Sequence, residues 1–179
     1  MKKFNYVMSV LILLSLLLAI FILSPSCGRK KTEQQPAATQ TATYPDTTGT
    51  ALWTYLKNAD YQDNWQMWPG KTAYYPGTQP HGALLTTYIN MVAFNAITAK
   101  VGMLPDSSII VKENYKPDST LESHTVMYKV KGYNPAADNW YWAKFSPTGE
   151  VQAEGKVGMC ISCHQEKKDN DYIQTAPLK

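Results

Sequence analysis

The sequence predicts an α+β fold, a mainly antiparallel β-sheet with flanking helices. Three observations lead there. Residues 108–115, 123–133 and 139–146 are rich in β-branched and aromatic side chains and are separated by turn residues. Residues 51–59 carry Leu52, Tyr55 and Leu56 at helical spacing. Near the C-terminus stands Cys160-Ile161-Ser162-Cys163-His164, the spacing C-x-x-C-H that attaches a c-type haem. The fold therefore ends in a C-terminal haem-attachment segment.

The elements follow in order. A helix over 51–59 opens the domain. Residues 60–81 hold Tyr61, Trp65, Trp68, Tyr74 and Tyr75 among Pro and Gly, which reads as a loop whose aromatics fill core and in part face a flat cofactor. After Pro80-His81-Gly82, residues 83–90 are apolar enough for a strand and 91–100 for a helix. The three β-rich segments come next, punctuated by Pro117-Asp118, Asn134-Pro135 and Pro147-Thr148-Gly149. A short strand is expected over 151–155 and a helical turn or more over 160–168. Three or four antiparallel strands thus precede the haem motif.

The N-terminus reads as an export device. Lys2 and Lys3 precede an apolar run from Val7 to Leu23 broken only by Ser9 and Ser15. Residues 1–26 are taken as a signal peptide or membrane anchor. Cys27, directly after that run, fits a lipoprotein acylation site, although Leu23 stands four residues ahead where a lipobox prefers three. Either way the folded part lies on the periplasmic or cell-surface side, tethered at Cys27 or by an N-terminal helix. Residues 27–49 have almost nothing to bury and read as a disordered tether, and 50–179 as one domain. The net charge is +3, and removing residues 1–26 takes Lys2 and Lys3 with it. No basic stripe points to nucleic acid.

The cysteine count agrees with haem. Of three cysteines, Cys27 sits at the export boundary and Cys160 and Cys163 in the motif, leaving none for a structural disulfide. The competing readings are weaker. Zinc needs four ligands, and nothing in the spacing pairs His81 with His124. A thioredoxin-like pair expects a βαβ context. A structural disulfide between Cys160 and Cys163 is disfavoured by their short spacing, and neither of these two readings explains His164. The two thiols can each add across a haem vinyl group, and His164 can then bind the iron, so the expected cofactor is one covalently attached haem c. No Met or His follows His164. A second axial ligand therefore comes from upstream or is absent. Candidates are His81, His124, Met103 and Met127. Residues 108–146 lack helical periodicity, which argues against a four-helix bundle.

The blocks around the motif carry a resemblance. They are 103–115 with Pro105, Asp106 and Lys112, then Val126-Met127-Tyr128-Lys129, Gly132-Tyr133-Asn134, Asp138-Asn139-Trp140-Tyr141-Trp142-Ala143-Lys144, Gly155-Lys156, the C-x-x-C-H run and Asp171-Tyr172-Ile173. In this order they resemble the cytochrome P-460 family over roughly the last 80 residues. The resemblance implies an antiparallel β fold, a homodimer, one c-type haem with His164 as proximal ligand and an iron open on its distal side. It implies enzymes that oxidise hydroxylamine, and relatives called cytochrome c′-beta that bind nitric oxide or carbon monoxide. In the enzymes a lysine is bonded to the haem edge, and Lys112 matches it.

Strand alternation places Ile110, Lys112 and Asn114 on one face and Ile109, Val111, Glu113 and Tyr115 on the other. A buried lysine amine is partly neutral and can meet a haem edge; an exposed Lys112 paired with an acid is the bland alternative. The function expected is an exported haem protein with five-coordinate iron that binds or oxidises hydroxylamine or nitric oxide, served by a redox partner protein. Glu113 and Glu122 are the acids near enough in sequence to serve as a base. Alternatives are a six-coordinate periplasmic electron carrier and a membrane-tethered haem sensor.

Overall fold

The computed structural model describes residues 43–179. The signal or anchor expected over 1–26, the lipid site at Cys27 and most of the tether lie outside the described residues. Ahead of the first helix, Tyr44 already packs on Tyr55 with ring centres 6.2 Å apart. Among the described residues no helix is long and apolar enough to cross a membrane.

Helix α1 spans Gly49–Asn58 and is capped by Thr48, whose hydroxyl accepts from Ala51 N at 3.2 Å. The Glu154 carboxylate reaches Gly49 N from across the domain, placing negative charge at the positive end of the helix. Helix α2 is a single turn, Tyr61–Asn64, followed by two short strands, β1 (Gln66–Met67) and β2 (Tyr75–Pro76). Strand β3 is Leu84–Ile89 and helix α3 is Met91–Thr98. Asn90 joins them: its Oδ1 accepts from Ala93 N and Ile109 N, both at 3.1 Å. Strands β4 (Ile109–Tyr115), β5 (Leu121–Lys129), β6 (Trp140–Phe145) and β7 (Val151–Gly155) follow. Helix α4, Gly158–His164, runs into a 3₁₀ segment, Gln165–Asn170.

All strands form one antiparallel sheet in the order β1-β3-β4-β5-β6-β7, with β2 also on β3. The α+β class is as expected. The strand number is larger, because the aromatic stretch 60–81 contributes two two-residue strands and a helical turn rather than loop alone. Too short to show a period, these pieces are held by pairing with β3 and not by local pattern. Strand β5 starts at Leu121 and stops at Lys129, four residues before the expected end, because Val130 N turns away to bond Asn139 O at 2.9 Å.

The sheet divides the core in two. On one face α1 buries Leu52 and Leu56 against Ile109, Val111, Val126, Tyr141 and Phe145. On the other, Ile89, Ile110, Met127 and Trp142 pack with α3 and with Tyr172, Ile173 and Leu178 of the C-terminal segment. The alternation read for β4 holds: Ile110 belongs to the second face and Ile109 and Val111 to the first.

Candidate functional site

On the second face, α4 stands over β4–β7. Cys160, Cys163 and His164 are spaced i, i+3 and i+4, so the helix presents them on one side. All three line one cavity together with Lys112 and His81. Both thiols are free. Burial raises the pKa of the Cys160 thiol, which keeps it protonated.

His164 is buried and oriented. Its Nδ1 donates to Tyr172 O at 2.7 Å, so that nitrogen carries the proton and Nε2 keeps a lone pair free for a metal. The Trp142 ring packs against it at 4.7 Å between centres. Burial holds its pKa below the usual histidine value, and the Lys112 charge adds to this.

The carbonyl that orients His164 is itself fixed. Asp171 and Tyr172 both adopt left-handed backbone, φ 56° and 62°, an unfavourable pair for side-chain-bearing residues. Asp171 anchors the turn: its carboxylate accepts from Leu104 N at 2.7 Å and pairs with the Lys129 ammonium, and its carbonyl accepts from Trp140 Nε1 at 2.9 Å. Burial raises the Asp171 pKa despite that partner.

The cavity floor follows from strand register. Ile110, Met127 and Trp142 form one cross-strand row, and Lys112, Thr125, Lys144 and Ala153 the next. Lys112 is only 9 % exposed, and its amine has no ion pair or hydrogen-bond partner among the described residues. Burial, with a smaller repulsion from Lys71, pushes its pKa down to about 8. The amine is therefore partly neutral near physiological pH.

His81 enters the cavity from the loop between β2 and β3. Gly82 lets the loop lie on β4, for a Cβ there would stand 2.4 Å from Tyr115 N and 2.5 Å from Tyr115 O. His81 Nδ1 is 3.0 Å from Asn114 Oδ1. The Asn114 amide nitrogen donates to Lys112 O at 3.0 Å and Ser123 O at 3.1 Å, which fixes the amide so that Oδ1 is an acceptor. His81 Nδ1 is thus the donor and Nε2 is free. Burial, then the Lys112 charge, pushes its pKa down to about 4. The His81 and His164 rings lie 6.2 Å apart between centres, with planes crossing at 83°.

Other residues singled out from sequence fall elsewhere. Glu113 is fully buried on the opposite face, where it accepts from Tyr61 OH at 2.7 Å and Gln62 Nε2 at 2.6 Å. It cannot serve the cavity as a base, and exposed Glu122 does not line it. His124 shares Glu113's face, its Nδ1 3.2 Å from Ser146 O. That separates it from Cys160 and Cys163 and undoes a zinc site. Among the described residues no three His, Cys, Asp or Glu side chains are grouped to hold a metal by themselves. Met103 is 57 % exposed, while Met127 is core and touches the cavity. None of the aromatics of 60–77 lines the cavity; Trp142 does.

The sequence model of the family described as Cytochrome P460 matches residues 58–175. The chain belongs to the cytochrome P460 family. Among curated proteins none matches it. Membership in cytochrome P460 implies haem binding, of the c type. The donor set of this cytochrome P460 domain suits such a group. Two free thiols and an imidazole with an open Nε2 share one helix face, over a floor that is apolar at Ile110, Met127 and Trp142.

Proposed function

We propose that the chain is an exported haem protein that acts on small nitrogen species, hydroxylamine or nitric oxide, at one covalently attached haem c. Cys160 and Cys163 would hold the ring and His164 the iron. When bound, the haem supplies the redox and ligand-binding chemistry. The residues supply the rest. Tyr172 O keeps the His164 tautomer that leaves Nε2 unprotonated. Ile110, Met127 and Trp142 supply an apolar surface for a flat ring to lie against. Lys112 would bring a partly neutral amine to the same cavity, within reach of the bound group. Lys112 is the single observation that carries this reading: a lysine buried without a counter-ion, in the same cavity as both thiols, is costly for folding alone and points to use. A redox partner protein, a homodimer and attachment to a membrane through the N-terminus complete the proposal.

A six-coordinate electron carrier is the second reading, favoured by His81 standing in the same cavity as His164. Titrating the holo-protein with nitric oxide and with hydroxylamine, followed by absorption, separates the two. The proposal expects both reagents to change the spectrum, hydroxylamine by reducing ferric protein. A spectrum indifferent to both would leave the carrier. Peptide mapping distinguishes the branches within the first reading: loss of the unmodified Lys112 peptide marks a lysine bonded to the haem, and its presence marks contact only.

A further inference from the structure

Trp142 carries a polar group that the fold leaves unused. The residue is 3 % exposed and lines the cavity against His164, yet its Nε1–H has no partner among the described residues. Trp140, two residues earlier on the same face of β6, shows the usual arrangement, its Nε1 donating to Asp171 O at 2.9 Å. Buried donors are almost always paired, because an unmade hydrogen bond forfeits the solvation that the group had in water. Ser108 Oγ and Asn139 Oδ1 are unpaired too, but neither residue lines the cavity. The Trp142 N–H therefore lacks a partner at the place where a bound group would supply one.

The charges around the cavity define the kind of acceptor. Lys112, Thr125 and Lys144 stand side by side on β4, β5 and β6, and among the described residues no Asp or Glu lines the cavity. Lys144 is half-buried and makes no ion pair among the described residues. Burial is the largest influence on the Cys160 thiol and on the His81 imidazole, and the Lys144 charge works on both as well. Trp142 and Lys144 are i and i+2 on one face of β6, about 6.6 Å apart along the strand. That is near enough for an indole N–H and an ammonium to meet on one carboxylate. A cavity with lysines, a spare N–H and no acid suits an anion.

A haem brings two. Once its vinyl groups have taken the Cys160 and Cys163 thiols, its only charged side groups are the two propionates. We propose that Trp142 Nε1–H and the Lys144 ammonium hold one propionate of the haem. The inference rests on the haem assignment made above and deepens it, adding an anchor on β6 to the thiols and imidazole of α4. Both are positioning residues in this role. The Trp142 ring packs on His164 whether or not its N–H is bonded, so packing and anchoring can be separated.

The test uses full-length holo-protein whose haem is labelled with carbon-13 at both carboxyl carbons, read by infrared absorption against pH. In the native protein one labelled carboxyl is expected to stay ionised to about one pH unit below the other. Trp142→Phe keeps a ring against His164 and loses the N–H; Lys144→Met keeps the stem and loses the charge. Each is expected to raise the proton affinity of that one carboxyl about tenfold, which is one pH unit, and to leave the other unmoved. Lys144→Arg is expected to titrate like the native protein. Lys112, His81 and His164 are unaltered in all three, so a change confined to one labelled band reports the anchor and not a general loosening. Native titration of both carboxyls in Trp142→Phe and in Lys144→Met overturns the proposal. If Trp142→Phe fails to fold, Lys144→Met against Lys144→Arg decides alone. If the seat serves a free anion instead, the labelled bands ignore both variants and added formate shifts the nitrogen-15 resonance of the Trp142 indole; that outcome also overturns it. Failure of the underlying haem reading looks different, since the labelled carboxyls would then leave the polypeptide on denaturation in acidified organic solvent.

Discussion

Replacing Asp171 with Asn tests whether the turn behind His164 is held by charge. The substitution keeps the shape and an acceptor oxygen for Leu104 N, but removes the partner of the Lys129 ammonium. Both residues are buried, at 4 % exposure for Lys129 and 2 % for Asp171. Removing one member of a buried pair costs about 3–5 kcal/mol. The lower end applies, because Asp171 also accepts from the neutral donors Leu104 N and Trp140 Nε1, which the Asn oxygen can still meet. For a domain of this size, about 3 kcal/mol corresponds to a fall in melting temperature of roughly 10 °C. Thermal unfolding of the holo-protein by circular dichroism reads this. A second readout separates stability from positioning. Tyr172 O should lose its aim once the left-handed turn relaxes, so the haem reduction potential rises as His164 loses its acceptor. A melting temperature within 2 °C of native and an unchanged potential would refute the reasoning, and would mean that Trp140 and Leu104 fix the turn without charge.

Glu113→Gln removes an acceptor from a carboxylate that receives Tyr61, Gln62 and Tyr115. It should cost about 1–3 kcal/mol in denaturant unfolding yet leave the haem spectrum unchanged, because Glu113 faces away from the cavity. Gly82→Ala should cost about 1–3 kcal/mol in denaturant unfolding by forcing the loop off the β4 backbone; an unchanged midpoint would mean that the loop can lift off β4 freely. Lys112 gives a pH prediction. Its pKa is about 8 in the fold against about 10.4 in an unfolded chain, so between those values the unfolded chain binds more protons. Native stability should then rise relative to Lys112→Met from pH 8 to pH 10, by up to about 3 kcal/mol. A flat difference would mean that the folded amine carries no titrating proton, as when it is bonded to carbon.

The sequence made some of this legible for reasons that are local. In β4, side chains alternate every residue, so Ile110, Lys112 and Asn114 could be assigned to one face without knowing the partner strands. The C-x-x-C-H spacing needs only one helical turn to bring Cys160, Cys163 and His164 to one side. What escaped is non-local. Lys129 is buried at the end of β5, and only Asp171, 42 residues later, makes its burial possible. Asn114 gave no sign that it would grip His81 across 33 residues. Trp142 comes beside Met127 and against His164 only through the strand register. Glu113 and Glu122, near Lys112 in the chain, were separated from the cavity by the same alternation that put Lys112 into it.

Mass analysis of the native holo-protein tests most directly for a covalent haem at α4. The proteolytic fragment containing Cys160 and Cys163 should carry the mass of one haem, both sulfurs should resist alkylation, and the haem should stay with the polypeptide after denaturation. Two freely alkylated thiols on Cys160 and Cys163, or a disulfide between them, in protein matured with haem available would contradict it.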